Sequence, residues 1–559
     1  MTNNENKKNE GGLVAFLSAS DHKSIGRFLI SSSALLLFAA LVGALITGYE
    51  ASDIALLSVV EDSDQFMQLW AASREALIFA ALIPMMVGVA VYIVPLQVGV
   101  ERLAFARGSA AGFWVWLLGT FLFISSYLLN GGPGGGVRDS IILWLLSVAM
   151  MLIGLIWIMV CVAATLIGAR AQGMSMDKAP YSSWSFFVYC LIGILVLPII
   201  IGEIAISFVR VRYGDFQLAD SGQLMPLSAS LIRPPFVFWM AIPVLGIGAD
   251  IIGVHTERPV KSTKLFMMLI GFVGFLAASS GFAFFATARN FEINEVSLVA
   301  LDLMFVAVTL LVAIPFTSLI RGKTALNPAI LGSLFSGFLF LAAILISVID
   351  NLSGVWNQVE INPLTLNSFD QEIVSNDVLA VEAIINYGAV FALIVGSVIL
   401  AFVASAHHWS VKIWGRQLNR SLNFVSVVAA FIGSGSWAVG QVLASIENDP
   451  ATVSVGALDN SSTVFGDLAV AGCLLLAASA LLLVVNMAAL SSTKVTGSAI
   501  VPWKGLTLEW ATASPPIATN FAQKPIVSSS TPLTEDVFVE PEINQIESGN
   551  NLPALERGN

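Results

Sequence analysis

Long unbroken apolar runs, each about 18 to 25 residues, recur along the chain with short polar connections between them. A helix of that length crosses the hydrocarbon core of a bilayer and bonds its own backbone polar groups on the way. Twelve such runs are read, at about 28–48, 69–94, 112–130, 140–167, 186–208, 235–254, 265–288, 297–319, 328–348, 383–406, 422–445 and 467–491. The pattern predicts an all-α integral membrane protein of twelve transmembrane helices. A cytoplasmic N-terminal segment, 1–27, precedes the membrane domain, 28–491, and a cytoplasmic, largely disordered tail, 492–559, follows it. Residues 512–559 have little periodicity and are rich in Pro, Ser, Thr, Asn and Glu, the composition of a chain that cannot bury a core.

Composition agrees. Of the 559 residues, 57% are hydrophobic and 11% charged, which excludes a soluble domain of this size. A sequence pI near 4.9 excludes a nucleic-acid partner and leaves membrane lipid as the surroundings. The first run has no small-residue cleavage site and is read as a retained helix. Cys161, Cys190 and Cys473 each lie inside an apolar run without a paired spacing, as packed thiols do.

Basic residues set the orientation. Only Arg74, Arg138, Arg210, Arg212, Arg233 and Arg289 of the 26 Lys and Arg fall on one side of the alternating loops. The other side, with both termini, is expected to be cytoplasmic, in a bacterial inner membrane. The segments 349–382 and 446–466 carry acidic residues and no Lys or Arg. Topology alone accounts for that; an acidic outer face would also steer a basic soluble cytochrome.

The stretch Ala72 to Trp114 carries the first family signal. An apolar helix interrupted by Pro84 ends in Val94-Pro95-Leu96-Gln97, a turn with Glu101, Arg102 and Arg107 follows, and Phe113-Trp114 opens the next run. Four further motifs follow the same order. They are Asp21-His22-Lys23-Ser24-Ile25-Gly26 before the first run, Arg170-Ala171-Gln172-Gly173-Met174-Ser175 with Pro180 and Trp184, Ile242-Pro243 with Gly246-Ile247 and Asp250, and His408-Trp409 with Lys412 and Gly415-Arg416. Phe431-Ile432-Gly433 falls in step behind the last. Together these resemble subunit I of the haem–copper oxidases, the catalytic subunit of cytochrome c oxidase. The resemblance implies that family's twelve-helix bundle, a subunit II-like partner, and haem and copper as the family's cofactors.

The same resemblance places the family's metal ligands. Its low-spin haem histidine and following glycine correspond to Ser73 and Arg74, its copper histidines to Pro234, Ser280 and Gly281, and its helix-10 haem histidines to positions near Ala389 and Phe391. The cross-linked tyrosine corresponds to Phe238, the glutamate of helix 6 to Phe236, the channel lysine to Leu319, the channel aspartate to Arg102, and the propionate-binding arginines to Ala451 and Thr452. The chain has four histidines, His22, His255, His407 and His408. All lie at helix ends, with His407 and His408 expected in solvent or lipid beside Trp409. The expectation is therefore a ligand-depleted paralogue with no catalytic residue, no metal and no cofactor, serving as a structural or assembly subunit of a respiratory-type complex. An active oxidase with unorthodox ligands, passing electrons from cytochrome c to oxygen, stays open, as does a transporter or channel on the vacated scaffold.

Four charges lie in or near spans: Arg74, Glu203, Asp250 and Asp302. Ionisable groups in hydrocarbon are costly and are paired or functional. Arg74 is expected either to pair with an acidic residue of another helix or, with Glu75, to meet water at the outer interface. Asp250 reads as structural; Glu203 and Asp302 have no partner visible in sequence.

Overall fold

The computed structural model describes residues 21–50, 60, 63–214, 216–217, 222–231, 236–258, 260, 262–287, 294–321, 326–353, 371–447, 463–491, 503, 505–521 and 523–533. The apolar runs become helices in order. They are α1 His22–Glu50, α2 over Ser63–Glu75, Ala76–Leu82 and Ile83–Gln97, α3 Ala106–Leu128, α4 Arg138–Gly168, α5 Tyr181–Tyr213 and α6 Ile242–His255. Then follow α7 Thr263–Thr287, α8 Asn294–Arg321, α9 Pro328–Ser353, α10 Gln371–Trp414, α11 Arg420–Glu447 and α12 Thr463–Ser491. Among the described residues, 11 helices are long and apolar enough to cross a membrane, and α7 contributes a shorter apolar stretch, Thr263–Ala278. Of the segments 349–382 and 446–466, residues 354–370 and 448–462 lie outside the described residues, as do Pro234, Ala451 and Thr452.

The helices sort into two classes. Every residue in the apolar windows of α2 and α10 is buried, and nearly all of that of α6. The others turn a stripe such as Leu118, Phe121 and Leu128 on α3 outward. The three inner helices thus form the core, and the outer ring meets lipid.

Two local rules shape the interior. In α2, Pro84 has no N–H to give and its ring crowds the preceding turn, so Ala76–Leu82 widens into a π-helix closed by Ile83 N–H on the Ile78 carbonyl. Between neighbouring outer helices, glycines let backbones touch. A Cβ on Gly154 of α4 would stand 2.6 Å from the Gly112 carbonyl of α3. One on Gly472 of α12 would stand 2.4 Å from the Trp437 nitrogen of α11. Small residues at such crossings let membrane helices pack closely. Gly472→Val is expected to force α11 and α12 apart and to abolish a monodisperse peak in detergent chromatography, whereas Gly435→Ala, which meets open space, should leave it unchanged.

The tail departs from expectation. The segment 505–533, from Gly505 onward a strap, lies across the bundle face where α1, α3 and α5 begin and α2, α6 and α10 end, the face rich in Lys and Arg. Lys412 Nζ donates to the Thr512 carbonyl at 2.6 Å. Lys23 Nζ donates to the Ile517 carbonyl, with Pro516 and Ala518 carbonyls each at 3.4 Å. Asn520 Nδ2 donates to the Val100 carbonyl at 2.9 Å and Val527 N–H to the Gln172 carbonyl at 2.9 Å. Gly99 (φ +73°) and Gly173 (φ +83°) make this approach possible, since a Cβ would meet Pro525 at 2.8 Å and the Val527 carbonyl at 2.4 Å. Composition predicts disorder here; hydrogen bonds between the strap and residues distant in sequence order it instead.

Candidate functional site

Ser73 and Arg74, expected from the resemblance at the family's haem-ligand motif, lie on α2 just before the π turn. Ser73 is buried and donates to the Trp70 carbonyl at 2.9 Å. Arg74 Nη1 donates to Thr47 Oγ1 of α1 at 3.0 Å and to Ser73 Oγ at 2.9 Å. Its guanidinium lies against Trp70 at 5.1 Å and Trp437 of α11 at 5.8 Å. Among the described residues, hydroxyls and indole faces take the place of the expected acidic partner; cation–π contact suits a planar guanidinium.

Glu75, about 100° further round the helix, points elsewhere. It is buried, not at a wet interface. Its carboxylate accepts from Trp144 Nε1 at 2.8 Å, Tyr127 O–H at 3.3 Å and Ser228 O–H at 2.5 Å. Those donors belong to α4, α3 and the short helix Met225–Ser230. Adjacent charges therefore serve two separate packing junctions, a division that their adjacency in sequence hides.

Of the other aligned positions, Ala389 and Phe391 are buried in α10, with Phe391 edge-on to Trp437 at 6.2 Å. Ser280 and Gly281 fall within α7, but their side chains lie outside the described residues. Phe238 packs 6.1 Å from Phe340. Glu203 has a buried Oε1 with no hydrogen-bond partner among the described residues. Asp302, expected as a buried charge, is exposed beside Leu303 and Val306 on the outward stripe of α8, because the helix turns Leu301, Met304, Val308 and Leu311 inward and leaves the carboxylate outside. The three cysteines are buried and free.

Asp250 caps a neighbouring helix. Pro180 precedes α5 and offers no side-chain cap, so Asp250 of α6 accepts from Tyr181 N–H at 3.1 Å and from Ser182 N–H at 2.8 Å. A carboxylate is favoured there by orphan amides and the helix dipole. Asp250→Ala should lower stability by about 1–2 kcal/mol, read as an earlier unfolding midpoint in detergent, with Asp250→Asn recovering part of it.

Sequence reasoning missed the network beyond. Ser182 Oγ donates to Asp250, Ser182 and Ser183 hydroxyls reach Gln97 Oε1 at 2.9 and 2.6 Å, and Gln97 Nε2 donates to Glu509 Oε1 of the strap at 3.0 Å. Burial pushes the Glu509 carboxyl above its ordinary range, while the Gln97 hydrogen bond and the Lys412 charge oppose that shift. Gln97, a polar residue closing an apolar run, was the available signal.

The histidines also differ from expectation. His407 and His408 are fully buried, and Trp503 and Trp510 of the tail pack against His408. His408 stacks on Trp503 at 5.2 Å and meets Trp510 at 5.0 Å and His255 at 5.4 Å. His407 Nδ1 pairs with Asn423 Nδ2 at 2.9 Å, and Asn486 Nδ2 donates to Asn423 Oδ1 at 3.0 Å. That chain makes the imidazole nitrogen an acceptor and fixes its tautomer. Among the described residues, no group of three or more His, Cys, Asp or Glu is placed to hold a metal ion.

The family profile described as "Cytochrome C and Quinol oxidase polypeptide I" matches residues 23–361. The chain is 26% identical over 536 residues to cytochrome c oxidase subunit 1 of Synechocystis sp., covering 91% of this chain and 90% of that one. It is 26% identical over 562 residues to cytochrome c oxidase subunit 1 of Bacillus sp. strain PS3, covering 93% and 84%. Its fold is similar to that of a haem–copper terminal oxidase dimer determined by cryo-EM, with a TM-score of 0.58 and 14% identity over 89% of each chain. These matches correct the expectation of a chain without cofactors: its relatives are haem–copper oxidases, and nothing in the matches sets it apart from them. The described side chains at or near the positions expected from the resemblance to carry ligands, Ser73, Ala389 and Phe391, offer a hydroxyl, a methyl and a phenyl ring. They do not fit an iron or copper centre that wants nitrogen donors, and no reaction step follows from them. Matched over more than half its length, the chain belongs to the cytochrome c and quinol oxidase polypeptide I family.

Proposed function

We propose that this chain is a cytochrome c oxidase subunit 1-like component of a multi-subunit respiratory-type membrane complex, in which it acts as a structural or assembly subunit rather than as the seat of oxygen reduction. The observation that carries the reading is Arg74, held by Thr47 and Ser73 between two indoles, next to Ser73, the position expected for the family's haem ligand. A cationic side chain bonded in this way is part of the packing. Haem and copper, the groups named for the structural neighbour, come with this reading as the cofactor class of the complex. A subunit II-like protein is the expected membrane partner and a soluble cytochrome the expected visitor to the acidic outer face. The bundle sits in a bacterial inner membrane with both termini in the cytoplasm, a membrane domain over 28–491 between the segments 1–27 and 492–559.

Family membership itself favours the second reading, an active subunit that passes electrons from cytochrome c to oxygen through ligands other than histidine. One experiment separates them. The tagged complex is purified from cells with and without this chain, and its subunits, iron, copper and oxygen uptake from reduced cytochrome c are measured. On the structural reading, loss of the chain depletes its partner subunits, and the isolated chain consumes no oxygen. Oxygen turnover by the isolated chain would establish the second reading.

A further inference from the structure

We propose that the strap, residues 505–533, is a detachable lid over a solvent port that ends at Asp250 and Gln97. A cavity of about 40 Å³ lies at the join. Tyr181, Asp250 and Thr263 line it from the bundle, and Thr507, Ser530 and Thr531 from the strap. It is roomy and polar enough for water, which needs roughly 10–15 Å³ and a few polar partners. Behind it runs the line Asp250, Ser182, Gln97, Glu509, which returns to the strap. All four side chains are buried, and the strap forms one wall of the chamber and supplies the last member of the line.

The manner of attachment makes the lid removable. Its regular structure amounts to one 3-10 turn, Leu508–Ala511, and an isolated bridge between Gln172 and Ile526. It is held instead at separate points: Lys412 on the carbonyls of Thr512 and Ala513, Lys23 on those of residues 516–518, Gln97 on Glu509, and Asn520 on Val100. Both ammonium groups are buried under the segment that they hold. A unit with few ladder bonds and several point contacts opens cooperatively, below the cost of global unfolding. When it opens, the side chains of Gln97, Ser182, Ser183 and Asp250 face water together.

The test uses the full chain in lipid nanodiscs. Hydrogen exchange reads the strap amides, and a methanethiosulfonate reagent reads a thiol placed at Ser183→Cys, with the three native cysteines replaced by alanine. Lys23→Met with Lys412→Met should raise strap exchange and thiol labelling together, by roughly tenfold to hundredfold, the worth of lost charge-assisted hydrogen bonds. Labelling that stays slow while the strap exchanges freely would show that the strap is not the closure. Strap protection unchanged in the double variant would show that the lysines do not hold it. Should that variant fail to fold, a Gln172→Cys and Ile526→Cys disulfide in the native-lysine background tests the same lid. Oxidation is expected to slow labelling several-fold relative to the reduced protein, and equal rates would overturn the proposal.

Discussion

Glu75→Ala should destabilise the bundle by about 3 kcal/mol or more, the largest effect expected from any one side chain of the candidate site. The carboxylate takes three donors from three different elements, Trp144 of α4, Tyr127 of α3 and Ser228 of the short helix Met225–Ser230. Alanine leaves all three donors in a place with no water, and each stranded donor costs on the order of 1–3 kcal/mol. It also opens a cavity beside the π turn, where the widened backbone already has fewer ideal contacts. Glu75→Gln keeps one acceptor oxygen and should lose less than half as much. The measurement is the unfolding midpoint in a denaturing-detergent titration, with Arg74→Leu as the comparison. Arg74 bonds two hydroxyls that keep other partners, so its loss should cost less than that of Glu75. An alanine variant with the wild-type midpoint would mean that the junction is not what holds Met225–Ser230 in place.

The fold was legible because hydrocarbon leaves a chain few choices. An apolar run that must bond its own backbone becomes a helix, and the runs at about 69–94 and 383–406 became α2 and α10 even though the first carries Arg74 and Glu75. Pro84 announced a disturbance without revealing its form; the π turn follows from the proline's missing donor. The junctions were harder to read. Arg74 and Glu75 are neighbours in sequence, yet helical geometry sends one toward α1 and α11 and the other toward α3 and α4. The strap was illegible for a different reason. Composition measures what a segment can bury by itself, and 505–533 can bury little; its order comes from Lys23, Lys412 and Asn520 bonding to strap or loop backbone, a pattern with no periodicity. His408 followed from that omission, since Trp503 and Trp510 pack against it.

The hold of the strap should weaken as pH rises, through Glu509. The residue is buried, and burial raises its carboxyl above the ordinary 4.5, so the docked strap favours the protonated form. Docking is strongest below the free value, where both states are protonated. It weakens as pH rises from the free value to the raised one, by up to about tenfold in the opening constant per pH unit, and is level again above. The groups around Glu509 set the width of that window. The Gln97 hydrogen bond and Lys412 of α10 narrow it. Lys412→Met should therefore extend the window upward. Glu509→Gln keeps the bond to Gln97 and removes the titration, so its strap should exchange at a rate that follows only the intrinsic chemistry of amide exchange. His255 and His408 pack on Trp503, Asp250 shares the line to Glu509, and Lys23 and Lys412 hold the strap; the glutamine variant separates Glu509 from all of them, and any pH dependence that survives in it belongs to those groups. Hydrogen exchange of residues 505–521, corrected for intrinsic rates and followed from acid to neutral pH, reads all three proteins. A wild-type strap whose protection rises with pH would reverse the sign and show that Glu509 is held as the charged partner of Lys412.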